Sequence, residues 1–287
     1  MTSALTIILP TYDRRHVLER TIACYQRLAQ HWPLLVVDDG SHDGTADWLR
    51  GLGITVLQQP HRGLPAARNA GLRAATTPWV LFGEDDVLMP DDTPARLLAW
   101  AQRLPRCAAV APRLHTTTDW TLPTTAPNAG PGPLIDSARL GVAVDAVTDR
   151  PAALPIVHAC ALIDRSSALA VGGYDMAYAG SHFREESDFY ARMWQHGRSV
   201  WLVPDTWAVH VRHRLGGGCR GPRGLVETLA NRWSYWRNDA RYIDRHARMW
   251  QHWGRTQASG ISKLSSADRL LSNLSRQAMQ RLGRAST

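Results

Sequence analysis

WVLFGEDDVLMP, residues 79–90, sets the short apolar run Trp79–Phe82 against three successive acids, Glu84, Asp85 and Asp86, with Gly83 between them. A run this short, ended by glycine, reads as a buried strand rather than a helix. The acids then stand at its carboxyl end. Packed carboxylates repel one another unless a cation or hydrogen-bond donors neutralise them. Hard divalent cations such as Mg²⁺ and Mn²⁺ prefer oxygen ligands, and need few carboxylates where phosphates supply the rest. A metal–diphosphate site accounts for the triplet. So does a solvated turn leading into a helix that starts near Pro90 or Thr93.

Outward from this stretch, the first hundred residues alternate apolar runs with helical spacing. Thr6–Leu9, Leu34–Val37 and Ile54–Leu57 read as strands beside Trp79–Phe82. Val17, Leu18, Ile22, Tyr25 and Leu28 recur at helical spacing, and further helices fall near 45–50 and 64–75. The βαβαβαβ order predicts an α/β fold, a mainly parallel sheet covered by helices on both faces. Ligands bind such sheets beyond the carboxyl ends of the strands. Here those ends are polar: TYDRR, DDGSHDGT, QQPHRG and GEDD.

Residues 115–155 are rich in Thr, Pro and Gly and read as a long loop, a candidate lid. Ile156–Ile163 reads as a strand, GGYD (172–175) as a turn and Glu185–His196 as a helix with Phe189, Met193 and Trp194 on one face. Ser199–Val203 and Trp207–Val211 read as two late strands, and GGGCRGPRG (216–224) as a mobile link. A helical stretch over 225–250 follows. In it Trp233, Trp236 and Tyr242 are expected to pack on the domain while the arginines face solvent, with an acceptor-facing wall as the alternative. Leu264, Ala267, Leu271, Leu274, Ala278 and Leu282 then stripe an amphipathic helix over 262–283, expected to pack on the domain or on a second copy.

The chain has 287 residues, 44% hydrophobic, with a net charge of +8. From Arg241 onward nine Arg or Lys face two Asp, so +7 of that charge lies in the tail. A basic tail suits nucleic acid, an anionic membrane surface, or simply a solvated helix face. No apolar run approaches the roughly 20 residues that cross a bilayer. The opening residues are expected to form a strand rather than a leader. Cys24, Cys107, Cys160 and Cys219 form no CxxC pair and are expected to be reduced, in a cytoplasmic protein, with peripheral membrane contact left open.

Chemistry-bearing residues gather at the other strand ends. In LVVDDGSHDGT, an Asp after the strand can accept hydrogen bonds from a base or ribose. In LPTYDR, Pro10 and Thr11 precede Tyr12, whose ring offers a face for a base. In HRGLPAARNAG, Gly63, Arg68 and Asn69 lie near a helix start, where an anion is favoured. Glu185, Glu186 and Asp188 open a later helix, where acids also simply compensate the helix dipole. Arg192, one turn past Asp188, can pair with it, either to orient it or as an exposed surface pair.

LPTYDR, VVDDGSHDGT, GLPAARNAG, FGEDDVLMP and GGYD…REESDFYARMWQHG, taken in this order, resemble the inverting GT-A glycosyltransferases of family 2 over residues 5–215. The resemblance implies a GT-A, Rossmann-like catalytic domain over 1–215. Its nucleotide-binding half would be 1–110 and its acceptor and catalytic half 111–215, with a basic helical extension over 216–287. It implies a nucleoside-diphosphate sugar donor and a divalent cofactor, Mn²⁺ or Mg²⁺. Tyr12 would stack on the base and Asp39 recognise it, with Pro10 and Thr11 in the same loop. Arg68 would lie near the diphosphate, and Asp85 and Asp86 at the metal–ribose–diphosphate centre. Glu186 would be the catalytic base, Glu185, Asp188 and Arg192 its supports or acceptor contacts, and His210 a further metal ligand, with His213 as its alternative. The acceptor is left open between a small molecule, a lipid-linked compound and a glycan, and a homodimer through the last helix is allowed.

Two rivals remain. A sugar-phosphate nucleotidyltransferase also uses nucleotides and Mg²⁺ on an α/β sheet, but commonly opens with a Gly-rich phosphate loop where this chain has PTYDRRHVLE. A nucleic-acid-binding protein would use the basic tail and leave the acid clusters of the body unexplained.

Overall fold

The structure, a computed structural model, describes residues 3–127, 133–136, 140–143, 145, 147–178, 181–212 and 225–256, with 225–228 by backbone alone. His213, the 216–224 link and the 262–283 helix read from the sequence lie outside the described residues.

The first half builds the βαβαβαβ pattern read from the sequence. β1 (Leu5–Thr11), α1 (Arg15–Ala29), β2 (Leu34–Asp38), α2 (Thr45–Gly51), β3 (Thr55–Gln58), α3 (Leu64–Ala74) and β4 (Trp79–Phe82) alternate without interruption. β5 (Val87–Leu88), α4 (Thr93–Arg103) and β6 (Cys107–Thr117) follow. Then come β7 (Ile135–Asp136), β8 (Gly141–Val142), β9 (Ala152–Leu154), β10 (Leu162–Asp164), α5 (Arg165–Ala170), α6 (Glu185–Gln195), β11 (Ser199–Val211) and α7 (Leu225–Thr256).

The main sheet runs β3-β2-β1-β4-β10-β6-β11-β5, with β9 pairing β11. β3, β2, β1 and β4 are mutually parallel. β10 is antiparallel to both β4 and β6, which makes it a reversed strand inside a mainly parallel sheet. Alternation along each strand sorts the core onto two faces. Ile8, Val37, Val80 and Phe82 pack with α3, α6 and α7, through Leu72, Phe189, Met193, Tyr242, Ile243 and Trp250. Ile7, Leu9, Val36 and Leu81 pack with α1 and α4, through Leu18, Ile22, Tyr25, Leu28 and Leu97. Because β1, β2 and β4 point the same way, their polar ends converge on one rim.

Three readings are corrected. Within Ile156–Ile163 only the end is strand, the ladder starting at Leu162. Ile156, Val157, Cys160 and Ala161 are buried all the same. Apolarity at these positions reports burial, and a buried irregular segment satisfies it as well as a ladder does. The two late strands are one, β11, with register shifts between Ser199 and Val200 and between Leu202 and Trp207; in the second, Pro204 lacks the N–H a ladder needs. On α7, Tyr242 is buried and the arginines face solvent as expected, but Trp233 is 65% exposed and packs on nothing in the core. Among the described residues no helix is long and apolar enough to cross a membrane.

Candidate active site

The β2 end is knitted into its own loop. Asp39 is buried, and its carboxylate accepts from the backbone N–H of Arg62 (3.0 Å) and Gly63 (2.7 Å) and from the Gln59 amide (2.6 Å). Tyr12, half-buried at the β1 end, stacks on His61 at 3.9 Å between ring centres, so one face of its ring is already taken. Asp13 ties this loop to the next by accepting from the His42 N–H (2.6 Å). Gly63 has φ +89, and a Cβ there would lie 2.6 Å from the His182 ring, so the ring rests against this backbone only because residue 63 is glycine. The loop after β3 and the loop before α6 are thus in direct contact.

The acids after β4 are not a solvated turn. Asp85 and Asp86 are buried, and one guanidinium spans them: Arg14 Nε lies 2.8 Å from Asp85 and Nη2 2.8 Å from Asp86. The Thr21 hydroxyl donates to the Asp85 carbonyl (2.7 Å). The Tyr25 hydroxyl donates to the Glu84 carbonyl (2.8 Å) and accepts from the Glu84 N–H (3.1 Å). Gly83 makes room for it, since a Cβ would stand 2.6 Å from the hydroxyl. Burial pushes Glu84 up to about 7 against the pull of Arg68, and Asp85 up to about 6 against that of Arg14. The pairing of β5 with β11 brings His210 beside Asp86, Nε2 to Oδ1 3.5 Å. The hydrogen bond with Asp86 raises the His210 pKa, and burial opposes it.

Among the described residues no group of three metal-ligating side chains converges on one point. The donors that do face each other, the Asp86 carboxylate and the His210 imidazole, suit a borderline-hard ion such as Mn²⁺ whose remaining ligands come from phosphate and water. Asp85 would join them on leaving Arg14. The residues fit such an ion in chemistry.

Two neighbouring residues of α3 join this rim to the second half of the chain. Arg68 is buried. Its Nη1 bonds Glu185 and lies 3.9 Å from Glu186, and its Nη2 lies 3.3 Å from Glu84. The guanidinium stands over the Tyr174 ring at 5.3 Å. Asn69 clamps the GGYD turn, donating to the Tyr174 carbonyl and accepting from its N–H, each at 2.8 Å. Arg68, expected near the diphosphate, therefore bridges the acid loop and the first turn of α6.

Within that turn the acids separate. The Glu185 side chain is 1% exposed and that of Glu186 35%, which leaves Glu186 as the accessible carboxylate. Asp188 is fully buried and accepts from Arg192 (2.7 Å), His246 (2.9 Å), Arg245 (3.1 Å) and the Tyr178 hydroxyl (3.2 Å). Burial alone would raise its pKa, but the His246 bond and the arginines reverse this and hold it low. The Arg192–Asp188 pair is buried and not a surface pair. Arg192 also donates to the carbonyls of Val171 and Gly173, which binds the GGYD turn to α6. Dipole compensation does not account for an acid held by four donors.

The sequence reading thus brings Tyr12 and Asp39 to one loop system, Asp85, Asp86 and His210 to a second cluster, and Arg68, Glu185 and Glu186 to a third that shares Arg68 with Glu84. It missed Arg14, though three packed acids demand a counter-charge and Arg14 stands in the quoted LPTYDR. It also missed Tyr25, Arg245 and His246, which no local pattern marks.

Residues 6–171 match the model of the family described as "Glycosyl transferase family 2", more than half of the chain. The chain is 31% identical over 222 residues to the pre-mycofactocin glycosyltransferase of Mycobacterium tuberculosis, which covers 72% of this chain and 42% of that protein. It spans about two fifths of the length of that relative. In fold it is similar to GalNAc-T7, solved with UDP, GalNAc and Mn²⁺ (TM-score 0.60, 15% identity, 84% of this chain and 47% of that one). It is also similar to the mannosyltransferase PcManGT of Pyrobaculum calidifontis, solved with GDP-Man and Mn²⁺ (TM-score 0.54, 20% identity, 99% and 83%). The ordered motifs, the mainly parallel sheet with its rim of carboxylates and the family match agree: the chain belongs to glycosyl transferase family 2.

Proposed function

We propose that this chain transfers a sugar, with inversion, from a nucleoside-diphosphate sugar to a small-molecule, lipid-linked or glycan acceptor, and that Glu186 is its base. One observation carries the reading. Arg68 contacts Glu84 of the acid loop and lies 3.9 Å from Glu186, so a leaving-group centre and an accessible carboxylate flank a single buried cation. The complexes of similar fold, one with UDP and GalNAc and one with GDP-Man, support the donor class. The free face of Tyr12 receives the base, with the loop held by Asp39 beside it. Asp85, Asp86 and His210 would hold Mn²⁺ or Mg²⁺, which when bound supplies charge stabilisation to the departing diphosphate. Glu186 takes the proton of the acceptor hydroxyl as it attacks, and the single displacement inverts the anomeric carbon. Arg68 lies 3.9 Å from the Glu186 carboxylate.

Glu186→Gln keeps the shape and cannot accept a proton. It is expected to leave donor affinity within a few-fold and lower kcat by ~10² or more. The measurement is turnover of UDP-, GDP- and dTDP-sugars with Mn²⁺, with product anomer read by NMR. Collapse of donor binding with normal saturated turnover would make Glu186 a binding residue. Release of nucleoside triphosphate on adding pyrophosphate would favour the nucleotidyltransferase.

A further inference from the structure

We infer that α7, which lies wholly beyond the family-matched segment, belongs to the transfer machinery: its residues Arg245 and His246 are positioning residues that hold the first turn of α6, and so Glu186, in the transfer-competent place. The inference rests on the reading of Glu186 as base and extends it.

Among the described residues no hydrogen bond or ion pair holds the Glu186 carboxylate beyond the 3.9 Å approach of Arg68. Its place is therefore set by the backbone of the turn it stands on. That turn starts from Arg184, whose φ is +75, a backbone conformation a non-glycine residue keeps only under constraint. Arg184 Nη1 donates to the Leu140 carbonyl (2.9 Å), and further holds come from α7. Arg184 Nε lies 2.8 Å from Asp239, and its guanidinium sits against the Tyr242 ring at 4.7 Å. Three residues earlier the Ser181 N–H donates to the Ser234 hydroxyl (2.8 Å). Beyond Glu186, Asp188 receives His246 Nε2 at 2.9 Å, while the other ring nitrogen of His246 lies 3.1 Å from the Gln195 side-chain oxygen. One buried imidazole thus contacts α6 in its first turn and at its last residue. Arg245 adds a second bridge, from Asp188 (3.1 Å) to Asp175 of the GGYD turn (2.9 Å).

These contacts exceed what packing alone requires. Tyr242, Ile243, Met249 and Trp250 already bury the helix in the core. Buried charges contribute little net stability over an apolar seam and instead specify one geometry. Here they fall on residues 181, 184 and 188, on both sides of the base.

The test uses the full chain and whichever of UDP-, GDP- or dTDP-sugars it hydrolyses fastest with Mn²⁺. Arg245→Met and His246→Leu are each expected to lower kcat of donor hydrolysis at least ~10-fold. Donor KM, and the thermal shift given by the matching nucleoside diphosphate, should stay within about twofold. His246→Gln, which keeps a donor for Asp188, should recover most of the loss. A pure packing role would lower melting temperature without this split. Arg245 is partly exposed, so its variant decides alone if His246→Leu does not fold. Kcat within twofold of wild type in folded Arg245→Met overturns the inference, as does a change confined to KM. Glu186→Gln run alongside separates the two readings. Full activity there removes Glu186 as base, while a kcat loss in Arg245→Met still assigns α7 to the positioning of α6.

Discussion

Arg14 shows how this chain solves its sharpest electrostatic problem. Two adjacent carboxylates, each mostly buried, are spanned by one guanidinium at 2.8 Å on both sides. A divalent ion entering this site meets an occupied one and must exchange with an internal cation. Arg14→Gln is therefore expected to cost about 3–5 kcal/mol without metal, the scale of breaking a buried pair. Added Mn²⁺ should then raise the melting temperature of the variant more than that of the wild type. Equal shifts in thermal unfolding with and without Mn²⁺ would show that Arg14 and the ion do not share the carboxylates. Glu84, Asp85 and Asp86 were legible because three acids at a strand end are locally anomalous. Their counter-ion was not, because its distance in the chain, some 70 residues, is closed only by the parallel pairing of β1 with β4.

The same contrast holds for strands and helices. β4 and its neighbours were read within a residue or two because four apolar residues between polar caps admit few alternatives. The 156–161 segment misled because burial without a ladder leaves the same pattern. The helical stretch of α7 was legible, although the helix runs to Thr256, past the 250 read from the sequence; the contact of Asp188 with His246 was not, since 58 residues separate them. β4 is fastened to α1 at one point, where Gly83 lets the Tyr25 hydroxyl reach both backbone groups of Glu84. Gly83→Ala is expected to destabilise by roughly 1–3 kcal/mol through overpacking. Tyr25→Phe should cost about 1 kcal/mol by leaving the Glu84 N–H unpaired, while the Glu84 carbonyl keeps the Val87 N–H. Combined, they should cost less than their sum, because the nearest of the atoms that Ala strikes is gone, although the ring carbons remain. Urea unfolding of the four proteins measures this, and strict additivity would mean that the two residues do not meet.

The assembled molecule carries a pH dependence of its own. His158 bonds the Pro112 carbonyl through Nε2 at 2.6 Å, and its Nδ1 is buried without a partner among the described residues. Burial holds its pKa down at about 4, against an ordinary value of about 6.5. The unfolded chain then binds the proton first. The stability from this group is whole above about pH 6.5 and is lost as pH falls towards 4, by up to about 1.4 kcal/mol per pH unit. His115 and His182 are shifted down as well, by burial, and steepen the fall, while the upward shift of His210 opposes it. The raised Glu84 and Asp85 carboxyls oppose this loss too, because the folded chain binds their protons first, so the His158 contribution is read as a difference: between pH 7 and 5 the melting temperature of wild type should fall relative to that of His158→Gln, and parallel curves for the two proteins would exclude His158 as a source. A last consequence comes from Gly63 beneath the ring of His182. Asp39 holds the N–H of Gly63, and the carbonyl of His182 accepts from the N–H of Glu185 at 3.3 Å. A chain of contacts therefore runs from the Asp39 loop to the residue before Glu186. On the proposed reading of Tyr12 as donor contact and Glu186 as base, these contacts tie the two substrates' sites together, so the substrates should not enter at random. Donor should bind first and nucleoside diphosphate leave last. Product inhibition by the glycosylated acceptor should accordingly be mixed against both donor and acceptor, and competition of that product with acceptor would mean that the two loops move independently.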